Sequence, residues 1–156
     1  MDEDNSKFVE ECLKEKEVIQ KPGASPILTQ LERNSASKNS LSNAQYFLEG
    51  AKQIVDGATP YLVFTLGFFA MEHAANSLIA QKGYKVTDHK CAQIFLSKML
   101  NREDLAKALS RAYNERIAFN YRQNLSDYKD KSEAEEFLQK EVMPFLEEVE
   151  KLARAT

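Results

Sequence analysis

The chain is poor in the residues that most often announce a chemistry. It has two cysteines in 156 residues, Cys12 and Cys91. They share no metal-ligand spacing and form no CxxC pair, so neither a zinc knuckle nor a dithiol redox site is expected. Two reduced thiols inside a cell are the plain expectation. There are two histidines, His73 and His89, and no HExxH or other spaced ligand set. Five glycines and four prolines are spread along the chain. None of the glycines builds a phosphate-binding loop, and no serine sits in a nucleophile elbow. No cofactor and no metal are therefore expected.

Excess charge of one sign is lacking too. The formal net charge is -3, with 29% charged and 43% hydrophobic residues. Such a balance suits a soluble globular chain and argues against nucleic-acid binding through bulk positive charge, although a local patch remains open. The start, MDEDNSKF, is acidic and has no apolar core of a secretory signal. The longest apolar run, YLVFTLGFFAM, is short for a membrane span. A cytoplasmic protein with no membrane partner is expected.

What remains is helical periodicity. Residues 4–18 place Phe8, Val9, Cys12 and Leu13 on one face of a short helix, ended by the KPG turn at 21–23. Ser25 and Pro26 read as an N-cap and first helical residue. The helix they open runs to about Val55 on a stripe of Leu41, Ala44, Leu48, Ala51 and Val55, with Phe47 and Ile54 beside it. Its polar first half, ERNSASKNS, is expected to fray or break. Thr59-Pro60 repeats the cap-then-proline start. The helix over 60–82 is apolar almost all round through Ala70, which marks the centre of a bundle. Gly83 is its C-cap candidate. Asp88 caps a short helix to about Leu100, and Asn101 with Asp104 resembles a capping arrangement for a helix over 102–122. Ser132 caps the last helix, which Pro144 kinks. No strand alternation and no internal repeat occur. The expected class is all-α, an antiparallel up-down bundle of four to five main helices. Residues 1–38 form an N-terminal helical extension and 39–156 the bundle.

One residue breaks the pattern. In LAKALSRAYNERIAF the apolar series Leu105, Ala108, Leu109, Ala112 and Phe119 includes Arg116. A guanidinium on that face needs a carboxylate, a backbone cluster, a ligand or a subunit interface. Glu72, which interrupts the apolar central helix, is the natural partner, and Asn76 follows it by one turn. Tyr113 and Asn120 flank Arg116 to make a Tyr-Arg-Asn edge. A buried ion pair that only fixes the fold is one reading. A polar pocket that aims Arg116 at phosphate is the other. His73 is expected in a structural or interface role. His89, beside Asp88, is expected at the surface or in a cap. Lys107, Arg111 and Arg122 lie towards another side of the same helix and read first as solvated, with RNA backbone as the alternative. Glu135-Glu136 and Glu147-Glu148 read as solvated faces.

The order of NAQYFLEGAKQIV, YLVFTLGFFAMEHAANSLIAQKGY, a loop with His89, and LSRAYNERIAFNY resembles the HEPN domain superfamily. The likeness spans roughly residues 40–150 and is nearest to small stand-alone prokaryotic HEPN proteins. The resemblance implies a helical bundle that dimerises, often beside a minimal nucleotidyltransferase partner in toxin–antitoxin or defence systems. Many such proteins are ribonucleases whose motif is Arg, four to six residues, then His. Arg116 matches the arginine, and Glu72 fits as its support. No histidine follows Arg116: the fifth residue on is Tyr121, and Asn120 stands where this branch carries an acid. Cleavage of RNA needs a group that exchanges protons near neutral pH, which an unperturbed tyrosine does not. The expectation is a non-catalytic module that binds nucleotide, RNA or a nucleotidyltransferase through Arg116, Glu72, Tyr113, Asn120, Tyr121, His73 and Asn76. The alternatives are a divergent ribonuclease toxin that recruits His73 or Tyr121, and a structural adaptor.

Overall fold

The computed structural model describes residue 12 and residues 29–86, 88–121 and 131–155, without the side chains of Asn120 and Tyr121. The expected helix over 4–18, the KPG turn and the Ser25-Pro26 start lie outside them, apart from Cys12, which is helical and buried in the core. The described chain is helical, with no β-strand. Its elements are α1 (Gln30–Ile54), α2 (Leu62–Gln81), α3 (His89–Ile94), α4 (Glu103–Tyr121), α5 (Lys131–Phe137) and α6 (Met143–Arg154). A π-helical segment, Phe95–Met99, extends α3, and another, Leu138–Val142, joins α5 to α6.

Helix α1 begins at Thr29, not at Ser25. Thr29 is extended, and its hydroxyl accepts the Glu32 N–H at 3.3 Å while Glu32 accepts the Thr29 N–H at 2.7 Å. This reciprocal capping box satisfies two donors that a helix start leaves orphaned. The polar segment that was expected to fray is continuous helix. Gln30 bonds Asn34 one turn on, and Ser37 is buried, so the segment is held at its start and packed at its middle. Position 38/39 therefore lies in mid-helix, and residues 30–38 belong to the same element as those that follow. Farther along, Ala44, Leu48 and Ala51 are buried as their spacing implied, and Leu41, Phe47 and Ile54 pack against the core.

Helix α2 is central: it touches every other described helix. It is also the one described helix long and apolar enough to cross a membrane by composition, yet most of it is buried in the core. Phe68, Met71 and Ile79 are fully buried, and each contributes roughly 1.5–3 kcal/mol by leaving water. Thr59 and Pro60 accept from Leu62 and Val63 in a tight opening turn; the helix itself starts after Tyr61, which supplies no side-chain cap. At the far end Gly83 takes φ +92°. Tyr84 N–H reaches Ile79 O and Gly83 N–H reaches Ala80 O, the two bonds of a Schellman turn. Gly67 lets α2 come close to the segment that joins α5 to α6. A Cβ there would lie 2.7 Å from Val142 Cγ2 and 2.8 Å from Phe137 Cε1.

Asp88 caps α3 as expected, accepting from Lys90 N–H and Cys91 N–H. Asn101 does not cap α4. It sits at φ 53°, where its backbone ends the π segment, and Arg102 precedes the helix instead. Asparagine tolerates this left-handed region better than most residues. Arg102 binds Asp104 and Glu148, so Glu148 is an ion-pair partner and not a plain solvated acid. Ser132 lies inside α5, which is already helical at Lys131. The π segment before Pro144 makes room for a ring that lacks an N–H, and Pro144 enters in the first turn of α6. Both cysteines are buried.

Candidate functional site

Arg116 does lie on the inward edge of α4. Leu105, Leu109 and Ala112 precede it on that side and are buried. Its side chain meets two rings presented by α2. The guanidinium carbon stands 5.2 Å from the centre of the Phe68 ring and 5.0 Å from that of Phe69. A cation over an aromatic face is attracted by the ring quadrupole, roughly 0.5–1 kcal/mol when exposed and about 2 when desolvated. Phe68 is fully buried and Phe69 partly so. The guanidinium is thus held against two rings by contacts that use none of its N–H donors. Arg116 Nε is buried and has no hydrogen-bond partner. No ion pair of 4.0 Å or less joins Arg116 to Glu72 among the described residues.

Glu72 nonetheless senses the arginine. Burial pushes its carboxyl above the ordinary value, the Arg116 charge pulls it back, and the Asp88 charge pushes it up further. The burial effect is the largest of the three, so desolvation wins over the attraction. Thr65 Oγ1, on α2 one turn before Phe69, is the other buried polar atom without a partner among the described residues. Thr65, Phe68, Phe69 and Glu72 follow helical spacing along one side of α2. One orphaned polar atom thus belongs to the arginine itself, and the other lies one turn before Phe69 on the same side of α2. Buried polar groups are almost always satisfied, so a seam with two such groups has unused binding capacity.

Tyr113 closes the other end. Its ring meets Phe68 edge-on at 5.7 Å and stacks on His89 at 3.8 Å with planes 17° apart. His89 is therefore not a plain surface or capping residue. Asp88 spends an oxygen on the helix start, while the imidazole packs against the Tyr-Arg edge. No spacing in the sequence could have revealed this, because the contact joins two helices across the chain.

His73 goes elsewhere. Its ring lies on Phe47 of α1, centroids 5.3 Å apart and planes 8° apart, and burial lowers its pKa below the ordinary imidazole value. With Asn76 it lines a groove between α1 and α2, into whose lining Glu72 also enters. The seven expected residues thus divide. Arg116, Glu72 and Tyr113 share the α2–α4 seam, and His73 and Asn76 face α1 with Glu72 at the border. Asn120 and Tyr121 lie in α4, and their side chains are outside the described residues.

Comparison of the chain with protein-family models, with curated proteins and with solved structures finds no match. The site must be read from its own chemistry. Among the described residues no group of three or more His, Cys, Asp or Glu side chains could hold a metal ion. Of the basic residues on the outer side of α4, Arg111 pairs with Glu141 at 3.1 Å, Lys107 is exposed, and Arg122 lies outside the described residues.

Proposed function

We propose that this protein is a HEPN-like, non-catalytic module that binds phosphate-bearing ligands, RNA or a nucleotide, through Arg116. One observation carries the proposal. The Arg116 guanidinium is seated on Phe68 and Phe69, yet makes no hydrogen bond or short ion pair among the described residues. A planar fork held in place with free donors is suited to the oxygens of phosphate. The reading includes an antiparallel up-down bundle, a cytoplasmic setting, a homodimer, and a minimal nucleotidyltransferase as the partner that would share or control this edge. The resemblance of the AMEHAANSL and YNERIAFNY segments supports these finer points.

The test is fluorescence anisotropy with a short labelled single-stranded RNA, together with a gel assay for cleavage. Binding by the wild type should weaken with salt and fall about tenfold or more in Arg116→Ala, since a hydrogen bond to a charged group contributes roughly 1.5–3 kcal/mol. The RNA should remain whole. Cleavage by the wild type that disappears in Arg116→Ala would overturn the non-catalytic reading.

A second reading has an observation of its own. His89 stacks on Tyr113, three residues before Arg116, so an imidazole stands at the seam although none follows Arg116 in the chain. Imidazole is the side chain that exchanges protons near neutral pH. A divergent ribonuclease would therefore draw on His89 in place of His73, which lines the groove between α1 and α2. Loss of any cleavage in His89→Gln would mark that alternative.

A further inference from the structure

On the other side of Glu72 lies a groove that the Arg116 reading does not use. It runs between the first half of α1 and the second half of α2 and encloses about 740 Å³. That volume falls within the roughly 300–1,000 Å³ of small-molecule sites. Its two walls carry a repeated pattern. On α1, Asn39 and Asn43 are one turn apart; on α2, Glu72 and Asn76 are one turn apart, with His73 beside them. Helical spacing makes each pair project to one side.

The chemistry of the walls narrows the ligand. Lys85 is the one cation among the lining residues, against Glu32 and Glu72. An anion would find no cluster of positive charge there. The three carboxamides each offer a donor and an acceptor. They match an edge on which donors and acceptors alternate, as asparagine matches the N6–N7 edge of adenine. His73 adds a flat ring whose orientation is set by its stack on Phe47. Burial keeps that ring neutral near pH 7, so it too has one donor and one acceptor. A carbohydrate would meet the amides as well, so a neutral sugar is the control ligand.

We propose that the groove binds a purine base, adenine in particular, with Asn39, Asn43 and Asn76 reading its edge beside His73. The site stands apart from the phosphate-binding reading of Arg116, with which it shares Glu72 alone. Adenosine, which has no phosphate, separates the two.

The test is titration calorimetry of the full chain with adenosine. Asn39→Ala/Asn43→Ala is the main variant, because both residues are exposed on a helix and alanine is the better helix former there. Asn76→Ala is the second, and its thermal melt is checked alongside. Saturable binding is expected, weakened at least tenfold in either variant and unchanged in Arg116→Ala. Absence of saturable binding overturns the proposal. So does binding that survives both asparagine variants, or equal binding of a neutral sugar. Loss of adenosine binding in Arg116→Ala overturns it as well, because the ligand would then sit at the α2–α4 seam. RNA binding that depends on Arg116 is measured separately, so either idea can fail alone.

Discussion

Replacing Arg116 by methionine separates a functional arginine from a structural one. Two ring contacts hold the guanidinium, at 5.0 and 5.2 Å. Partly desolvated, they contribute together about 1–3 kcal/mol. Against them stands the buried Nε without a partner, which costs about 1–3 kcal/mol in lost hydration. The two effects nearly cancel. Methionine keeps an unbranched stem against the same rings and gains roughly 0.3–1.5 kcal/mol of sulfur–aromatic contact. Glu72 loses the one influence that lowers its pKa, so it titrates higher still and accepts a proton more readily. Arg116→Met should therefore lie within about 1 kcal/mol of the wild type, or about 2–4 °C in Tm for a chain of this size. Urea unfolding followed by far-UV circular dichroism reads this directly, with an unchanged m-value as the check on the denatured state. If Arg116 instead formed half of a buried ion pair, breaking it would cost about 3–5 kcal/mol. A loss of 3 kcal/mol or more would refute the reasoning and return Arg116 to the role of a fold-fixing residue.

Glu72→Gln tests the other half of the seam. A folded-state pKa above the ordinary 4.5, raised chiefly by burial, makes a contribution that is present below the unfolded value and lost as pH rises through the folded one. Glu72 therefore costs stability at neutral pH. The glutamine variant should melt above the wild type at about pH 7.5, with the difference vanishing near pH 4; a lower melting temperature at pH 7.5 would show that attraction to Arg116 dominates burial. At Gly67, alanine would place its Cβ 2.7 Å from Val142 and 2.8 Å from Phe137. Overpacking of about 1–3 kcal/mol should exceed the gain of roughly 1 kcal/mol in helix propensity. A raised Tm in Gly67→Ala would count against the close approach of α2 to the joined α5–α6 segment.

Some of these features were legible before the structure and some were not, for physical reasons. Asp88 as a cap and Gly83 as a helix end were readable because a cap or a left-handed turn demands a residue type at one position. The start of α1 was misplaced because two cap-like signals, Ser25-Pro26 and Thr29 with Glu32, lie four residues apart. Only the second is seen to close a reciprocal box. The helix through ERNSASKNS was unexpected because its support comes from a neighbour: Ser37 is buried by packing that no local pattern encodes. Asn101 misled because the same residue type that caps helix starts also accepts the left-handed region at helix ends.

By itself the sequence determined the helical class, the central place of the apolar 60–82 segment, and the presence of an arginine on an inward-facing stripe. These follow from periodicity, since 3.6 residues per turn assign a face to every side chain. Tertiary structure decided what the arginine meets. It placed two phenylalanine rings under Arg116, left Glu72 desolvated beside it, and carried His73 to Phe47 and His89 to Tyr113. Periodicity gives the direction of a side chain relative to its own helix. Its partner depends on which helix packs opposite, and at what height, and that is set by the burial of the whole core.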